Sequence, residues 1–95
     1  MPVFAVTYTY DDRTEVRMQA RPDHRAFLTG LSDAGVLLAA GAWEDAGRPG
    51  GLLVVRADDA SGAAAALDGD PYRAAGVIAA REIRQWSQLL GPWAS

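Results

Sequence analysis

The sequence predicts an α+β fold of the ferredoxin-like type, βαββαβ, in which a four-stranded antiparallel sheet carries helices on one face. Three observations lead there. Strand-like and helix-like segments follow one another in the order β-α-β-β-α-β, which is two split βαβ units. The chain has 95 residues and a mass of 10.1 kDa. Folding a chain of that mass hides roughly 64% of its unfolded surface, enough for one modest core. Residues 1–95 are therefore read as a single domain, with a core of about 3–86 and a tail of 87–95. Finally, the strands are apolar at both parities, whereas two helices can cover only one face of such a sheet.

The first strand is the run Val3 to Tyr10, where Phe4, Val6, Tyr8 and Tyr10 alternate with Val3, Ala5, Thr7 and Thr9; β-branched and aromatic residues favour strand, and Asp11-Asp12 ends it. Asp11 to Ala20 reads as a polar connection. Pro22 and Asp23 then suit the first turn of a helix that Gly35 closes. Within it His24, Leu28 and Leu31 fall at i, i+4 and i+7, which puts His24 on the inward stripe one turn from the helix start. Gly30 in that helix costs about 1 kcal/mol against Ala, and close packing on the sheet would account for it.

Val36 to Trp43 and Gly51 to Ala57 are short apolar runs on either side of a turn-rich segment, Glu44 to Gly50, so they read as an antiparallel hairpin with a long connection. Asp58 or Asp59 caps a second helix, Ala60 to Leu67, and Gly69 ends it. Pro71 to Ala75 forms a short turn stopped by Gly76, and Val77 to Trp86 is the last strand. The tail carries Gly91-Pro92 and is expected to be a loop that packs Trp93. With Leu52 and Val54 on one side of a strand and Leu53 and Val55 on the other, the uncovered face calls for a second copy. A homodimer packed sheet to sheet is the expectation.

Composition removes many chemistries. There is no cysteine and no lysine, and all nine cations are arginine. Disulfides, thiolates, Cys-ligated metals, Schiff bases and a P-loop lysine are excluded. One histidine cannot build a multi-His metal site, and no metal or cofactor is expected. A net charge of −3 argues against a nucleic-acid or anionic-membrane partner. No targeting or membrane segment is visible, so a cytoplasmic protein is expected.

Two residues stand out as candidates for chemistry. Histidine is the side chain whose ordinary pKa lies near neutrality. His24 could serve as a general acid/base, or merely hydrogen-bond a neighbour. Asp70-Pro71 is an ordinary N-cap followed by a first-turn proline, yet a capping Asp has a second oxygen to offer an imidazole. Spacing alone does not decide whether the two meet. Arg17, Arg21 and Arg25 recur every four residues and could face an anionic substrate, although a solvated or ion-paired set is the plainer reading. Tyr8, Tyr10, Trp43 and Tyr72 could line a pocket for a flat ligand or simply fill the core.

Taken in order, Arg21-x-x-His24, Phe27-Leu28-x-x-Leu31, Gly35, Gly41, Gly50-Gly51-Leu52-Leu53-Val54-Val55, Asp70-Pro71-Tyr72, Gly76 and Ile83-Arg84-Gln85-Trp86 resemble the YCII-related (YciI-like) family over about Val3 to Trp86. Ala42 departs from the proline that many relatives carry there. The resemblance implies a dimeric α+β barrel and implies that His24 and Asp70 are the family's characteristic pair. It suggests a cofactor-free enzyme that uses this pair for proton transfer, as an isomerase or a dehydrochlorinase-type lyase acting on a small aromatic-derived or cyclic metabolite. Tyr8, Arg21, Trp43 and Tyr72 are the expected substrate-binding residues. The alternatives are a non-catalytic small-molecule-binding or accessory protein, and a cofactor-independent oxygenase.

Overall fold

The computed structural model describes residues 1–94. Its elements are β1 (Val3–Tyr10), α1 (Thr14–Asp33), β2 (Leu37–Ala42), β3 (Gly50–Arg56), α2 (Ala60–Leu67), α3 (Pro71–Ala74) and β4 (Ile78–Gln85). The strands form one antiparallel sheet in the order β2-β3-β1-β4, the ferredoxin-like arrangement that the alternation of strand and helix patterns predicts.

Phe4, Val6 and Tyr8 stand opposite Val55, Leu53 and Gly51 of β3. Together with Leu37, Ala63 and Leu67 these side chains make the core between sheet and helices. The other parity, with Val3, Ala5 and Thr7 on β1 and Leu52 and Val54 on β3, forms the opposite face of the sheet. No helix lies over it. The surface area of the chain is 5885 Å², against about 5,300 Å² for a compact monomer of this mass.

The helix ends follow local chemistry. Asp59 caps α2, accepting the Gly62 N–H at 2.8 Å. Gly35 has φ +78° and closes α1. Its N–H reaches the Ser32 carbonyl at 3.0 Å while the Val36 N–H reaches Leu31 at 3.0 Å. That is the paired pattern in which a left-handed residue satisfies the last helical carbonyls. Gly76, at φ +73°, repeats it after α3 with Arg73 and Tyr72 as acceptors. Pro71–Ala74 is thus a short helix rather than a simple turn.

Two expectations are corrected here. Helix α1 begins at Thr14, so Arg17 and Arg21 lie on the helix and Pro22 sits inside it. The stretch Glu15 to Arg21 is rich in good helix formers, and their propensity carries the helix past the proline. Pro22 points to solvent, where its missing N–H and a mild bend are tolerated. Gly30 packs against nothing: a Cβ there would meet no atom within 4 Å. In the tail, Trp93 is half-buried and its N–H is bonded to Gln88 Oε1 at 2.6 Å, as the expectation of a packed tail requires.

The glycines give a test with opposite signs. Gly30→Ala is expected to raise stability by up to about 1 kcal/mol by favouring the helix. A Cβ on Gly50 would instead collide with the Tyr8 carbonyl and press on Trp43. Gly50→Ala should therefore lose about 1–3 kcal/mol in a urea titration.

Candidate functional site

The longer helix sets the register of the site. Counting along α1, Arg17, Arg21, His24 and Leu28 fall at i, i+4, i+7 and i+11, one stripe of a helix. At the far end of the core Asp70 caps α3, accepting the Tyr72 N–H at 2.9 Å. The proline at the next position pre-sets the backbone for that cap.

These two elements bring together residues 46 positions apart. His24 Nδ1 lies 2.7 Å from Asp70 Oδ1 in a buried contact, with Asp70 only 1% exposed and His24 8%. An ionised carboxylate can only accept, so Nδ1 is the donor and carries the ring proton in the neutral imidazole. Nε2 is then the basic nitrogen. It has no hydrogen-bond partner among the described residues, and His24 lines a cleft. The expectation that the cap and the imidazole use different oxygens is corrected: Oδ1 serves both, and Oδ2 is buried without a partner. The Tyr72 N–H and His24 Nδ1 converge on the same oxygen because His24 stacks flat on the Tyr72 ring, with centroids 3.7 Å apart and planes within 2°.

The cleft measures about 540 Å³, within the range of small-molecule sites. It lies between the Arg17–Thr29 face of α1 and the end of the β2–β3 hairpin, at Ala40–Trp43 and Pro49–Gly50, with Tyr10 and Tyr72 in its wall. Tyr10 meets Tyr72 edge to face at 5.4 Å, and the Arg17 guanidinium carbon sits 5.1 Å from the centre of the Tyr10 ring. Burial, reinforced by the neighbouring phenol of Tyr72 and the Asp70 charge, pushes the Tyr10 hydroxyl up to about 12. Burial and then Asp70 do the same to Tyr8, also to about 12. Tyr72 is raised as well, chiefly by burial. All three phenols thus stay protonated at neutral pH and can donate but not act as bases.

Of the residues expected to touch a ligand, Arg21, Trp43 and Tyr72 line the cleft together with His24. Asp70 stands behind the imidazole. Tyr8 does not reach the cleft: it shares the helix-facing side of β1 with Tyr10 but lies deeper in the core, where it is 1% exposed with its hydroxyl unpartnered. Arg17, Arg25 and Tyr10 line the cleft too, although the plain readings were solvated arginines and a core tyrosine. The seven-residue spacing from Arg17 to His24 is the sequence signal for this stripe, and Pro22 masks it because proline usually sits in the first turn of a helix. Among the described residues no group of three or more His, Cys, Asp or Glu is placed to hold a metal ion. None of the helices described is long and apolar enough to cross a membrane.

A family model for the YCII-related domain matches residues 1–87. The chain belongs to the YCII-related family. Solved structures similar to this YCII-related domain share its fold. One is 5-chloro-2-hydroxyhydroquinone dehydrochlorinase (TftG) from Burkholderia phenoliruptrix, in complex with 2,5-dihydroxybenzoquinone; it is 22% identical, has a TM-score of 0.78, and covers 90% of this chain and 93% of its own. A dimeric ferredoxin-like protein of unknown function from Thermobifida fusca is 23% identical with a TM-score of 0.55, covering 93% and 92%. Rv0793 from Mycobacterium tuberculosis is 13% identical with a TM-score of 0.56, covering 96% and 98%. No curated protein sequence matches the YCII-related domain described here.

Because Asp70 Oδ1 holds both a helix cap and the imidazole, Asp70→Ala should destabilise by about 2–4 kcal/mol, combining a lost cap with a lost buried hydrogen bond. Asp59→Ala, which removes only an exposed cap, should cost about 1 kcal/mol. Thermal melts of the two variants check the difference.

Proposed function

We propose that this protein is a small enzyme that moves protons on a cyclic or aromatic-derived metabolite, with His24 as general acid/base and Asp70 as its orienting partner. The observation that carries this is the state of the imidazole. One nitrogen is held by a buried carboxylate while the other faces a cleft large enough for a ring. Neutral Nε2 takes a proton from a carbon or hydroxyl of the bound ring. Asp70 keeps the proton of Nδ1 in place and stabilises the imidazolium that forms. The electron pair released then follows one of two courses. It can take the proton back at another atom of the ring, which is isomerisation, or it can expel a leaving group as its anion, which is elimination. Tyr72 fixes the plane of the imidazole, and Arg21 and Trp43 contact the ligand from the cleft wall. The dehydrochlorinase activity named for the similar Burkholderia structure, and the quinone bound to it, fit the elimination course and make a chlorinated hydroxyhydroquinone the first compound to test.

A binding-only reading draws on a different fact. Asp70 is almost wholly buried and caps α3, so the pair has a structural duty even without turnover. The two readings separate on one variant. His24→Ala is expected to stay folded, to retain ligand binding, and to lose about 10²–10⁴-fold in turnover. Normal turnover by that variant would refute the catalytic role, and the absence of any turnover by the wild type with binding intact would favour the binding protein.

The same proposal includes assembly. The sheet face carrying Ala5 and Leu52, both partly exposed, is uncovered by the described helices, and the Thermobifida fusca relative in fold is described as dimeric. We propose that a second copy packs there, closing a dimeric barrel. Sedimentation should give twice the chain mass of 10.1 kDa, and Leu52→Glu should shift it to monomer by placing a charge in the interface.

A further inference from the structure

Charge is distributed unevenly in this protein. The chain carries −3 overall, yet the cleft wall holds Arg17, Arg21 and Arg25 and includes no Asp or Glu. Among the described residues none of these three arginines is ion-paired; the ion pairs that form involve Arg13, Arg73, Arg81 and His24. Asp70, the nearest carboxylate to the imidazole, is 1% exposed and stands behind it rather than in the wall.

Arg17 is the unusual member. It is 9% exposed, and its Nη1 is buried with no protein acceptor within hydrogen-bond reach. Its guanidinium lies over the Tyr10 ring at the cleft wall. Holding a guanidinium nitrogen away from both water and a carboxylate is unfavourable by itself. An anionic ligand entering the cleft would supply the opposite charge that this guanidinium lacks. The three guanidinium charges reach well into this space, since Arg17, Arg21 and Arg25 each pull the Tyr72 hydroxyl downward against its burial.

We propose that the cleft selects planar organic anions, a ring bearing a carboxylate or an ionised enol or phenol, and that the Arg17 guanidinium is the anion contact through its cleft-facing edge, supported by the charges of Arg21 and Arg25. This rests on the reading of the cleft as the ligand site beside His24 and adds the chemical class of the ligand. Placed there, the cationic wall also favours the negative charge that develops on a ring as His24 removes a proton.

The test is equilibrium binding by calorimetry on the full chain, with three probes of nearly the same shape: 4-hydroxybenzoate, 4-hydroxybenzamide and 4-nitrophenol. The first carries a carboxylate, the second is neutral, and the third ionises at its hydroxyl near neutral pH. The benzoate is expected to bind about tenfold or more tightly than the amide, with the advantage shrinking as salt is raised. Arg17→Gln should bring the benzoate-to-amide affinity ratio close to one, and Arg56→Gln, on the exposed end of β3, should leave the ratio alone. Nitrophenol binding more tightly at pH 8 than at pH 6 would extend the preference to ionised phenols; equal binding would confine it to carboxylates. If the amide binds the wild type as tightly as the benzoate, the anion preference is refuted while the cleft remains a ligand site. If none of the three binds at millimolar concentration, the reading of the cleft as a ligand site falls with it. The comparison within the wild type stands even if Arg17→Gln fails to fold.

Discussion

A single carboxylate oxygen joins the two halves of this fold. Asp70 Oδ1 accepts the Tyr72 N–H that starts α3 and the Nδ1–H of His24 from the middle of α1. Hydrogen bonds to a charged acceptor contribute about 1.5–3 kcal/mol each, and the desolvated carboxylate would be unfavourable without them. The stacking of His24 on Tyr72 is the packing counterpart of that contact. Moving α3 away from α1 would break both at once, so the geometry of the imidazole is set by the structure that also holds the helices together. The arrangement resembles the carboxylate–imidazole part of a catalytic triad in its physics: one nitrogen is tied down so that the other has a defined protonation and direction.

Around that pair the cleft is asymmetric in polarity. One wall is apolar and aromatic, from Leu53, Trp43, Tyr10 and Tyr72, while the other is a ladder of arginines on α1. The protonated phenols of Tyr10 and Tyr72 add donors but no base, because burial holds them as O–H. A net-acidic chain can therefore present a cationic site, since overall charge governs long-range steering and solubility whereas a helix register decides which charges share one surface. The cleft is also bounded by the β2–β3 turn, where Gly50 and Gly51 leave no room for side chains against Tyr8 and Gly41. Close backbone approach there places Trp43 and Ala42 at the cleft mouth.

The sheet is built for cover on both faces but receives helices on one. Alternation on β1 and β3 sends Phe4, Val6, Leu53 and Val55 to the helices, and Val3, Ala5, Leu52 and Val54 to the other side.

Strand parity, the Asp59 cap, the glycines that end α1 and α3, and the Asp70-Pro71 start were all legible in the sequence. Each depends on residues within a few positions, where the pleat, the helical turn and the left-handed backbone set the rules. The start of α1 was obscured by Pro22, whose usual place in a first turn masked the helix-forming residues before it. With that start misplaced, the stripe from Arg17 to His24 was divided. Tertiary structure alone decided that Asp70 meets His24, that one oxygen serves two donors, that Tyr8 turns into the core and that Arg17 is buried beside Tyr10. Such contacts join residues tens of positions apart, and they follow from how helices settle on a particular sheet register, which no local pattern encodes.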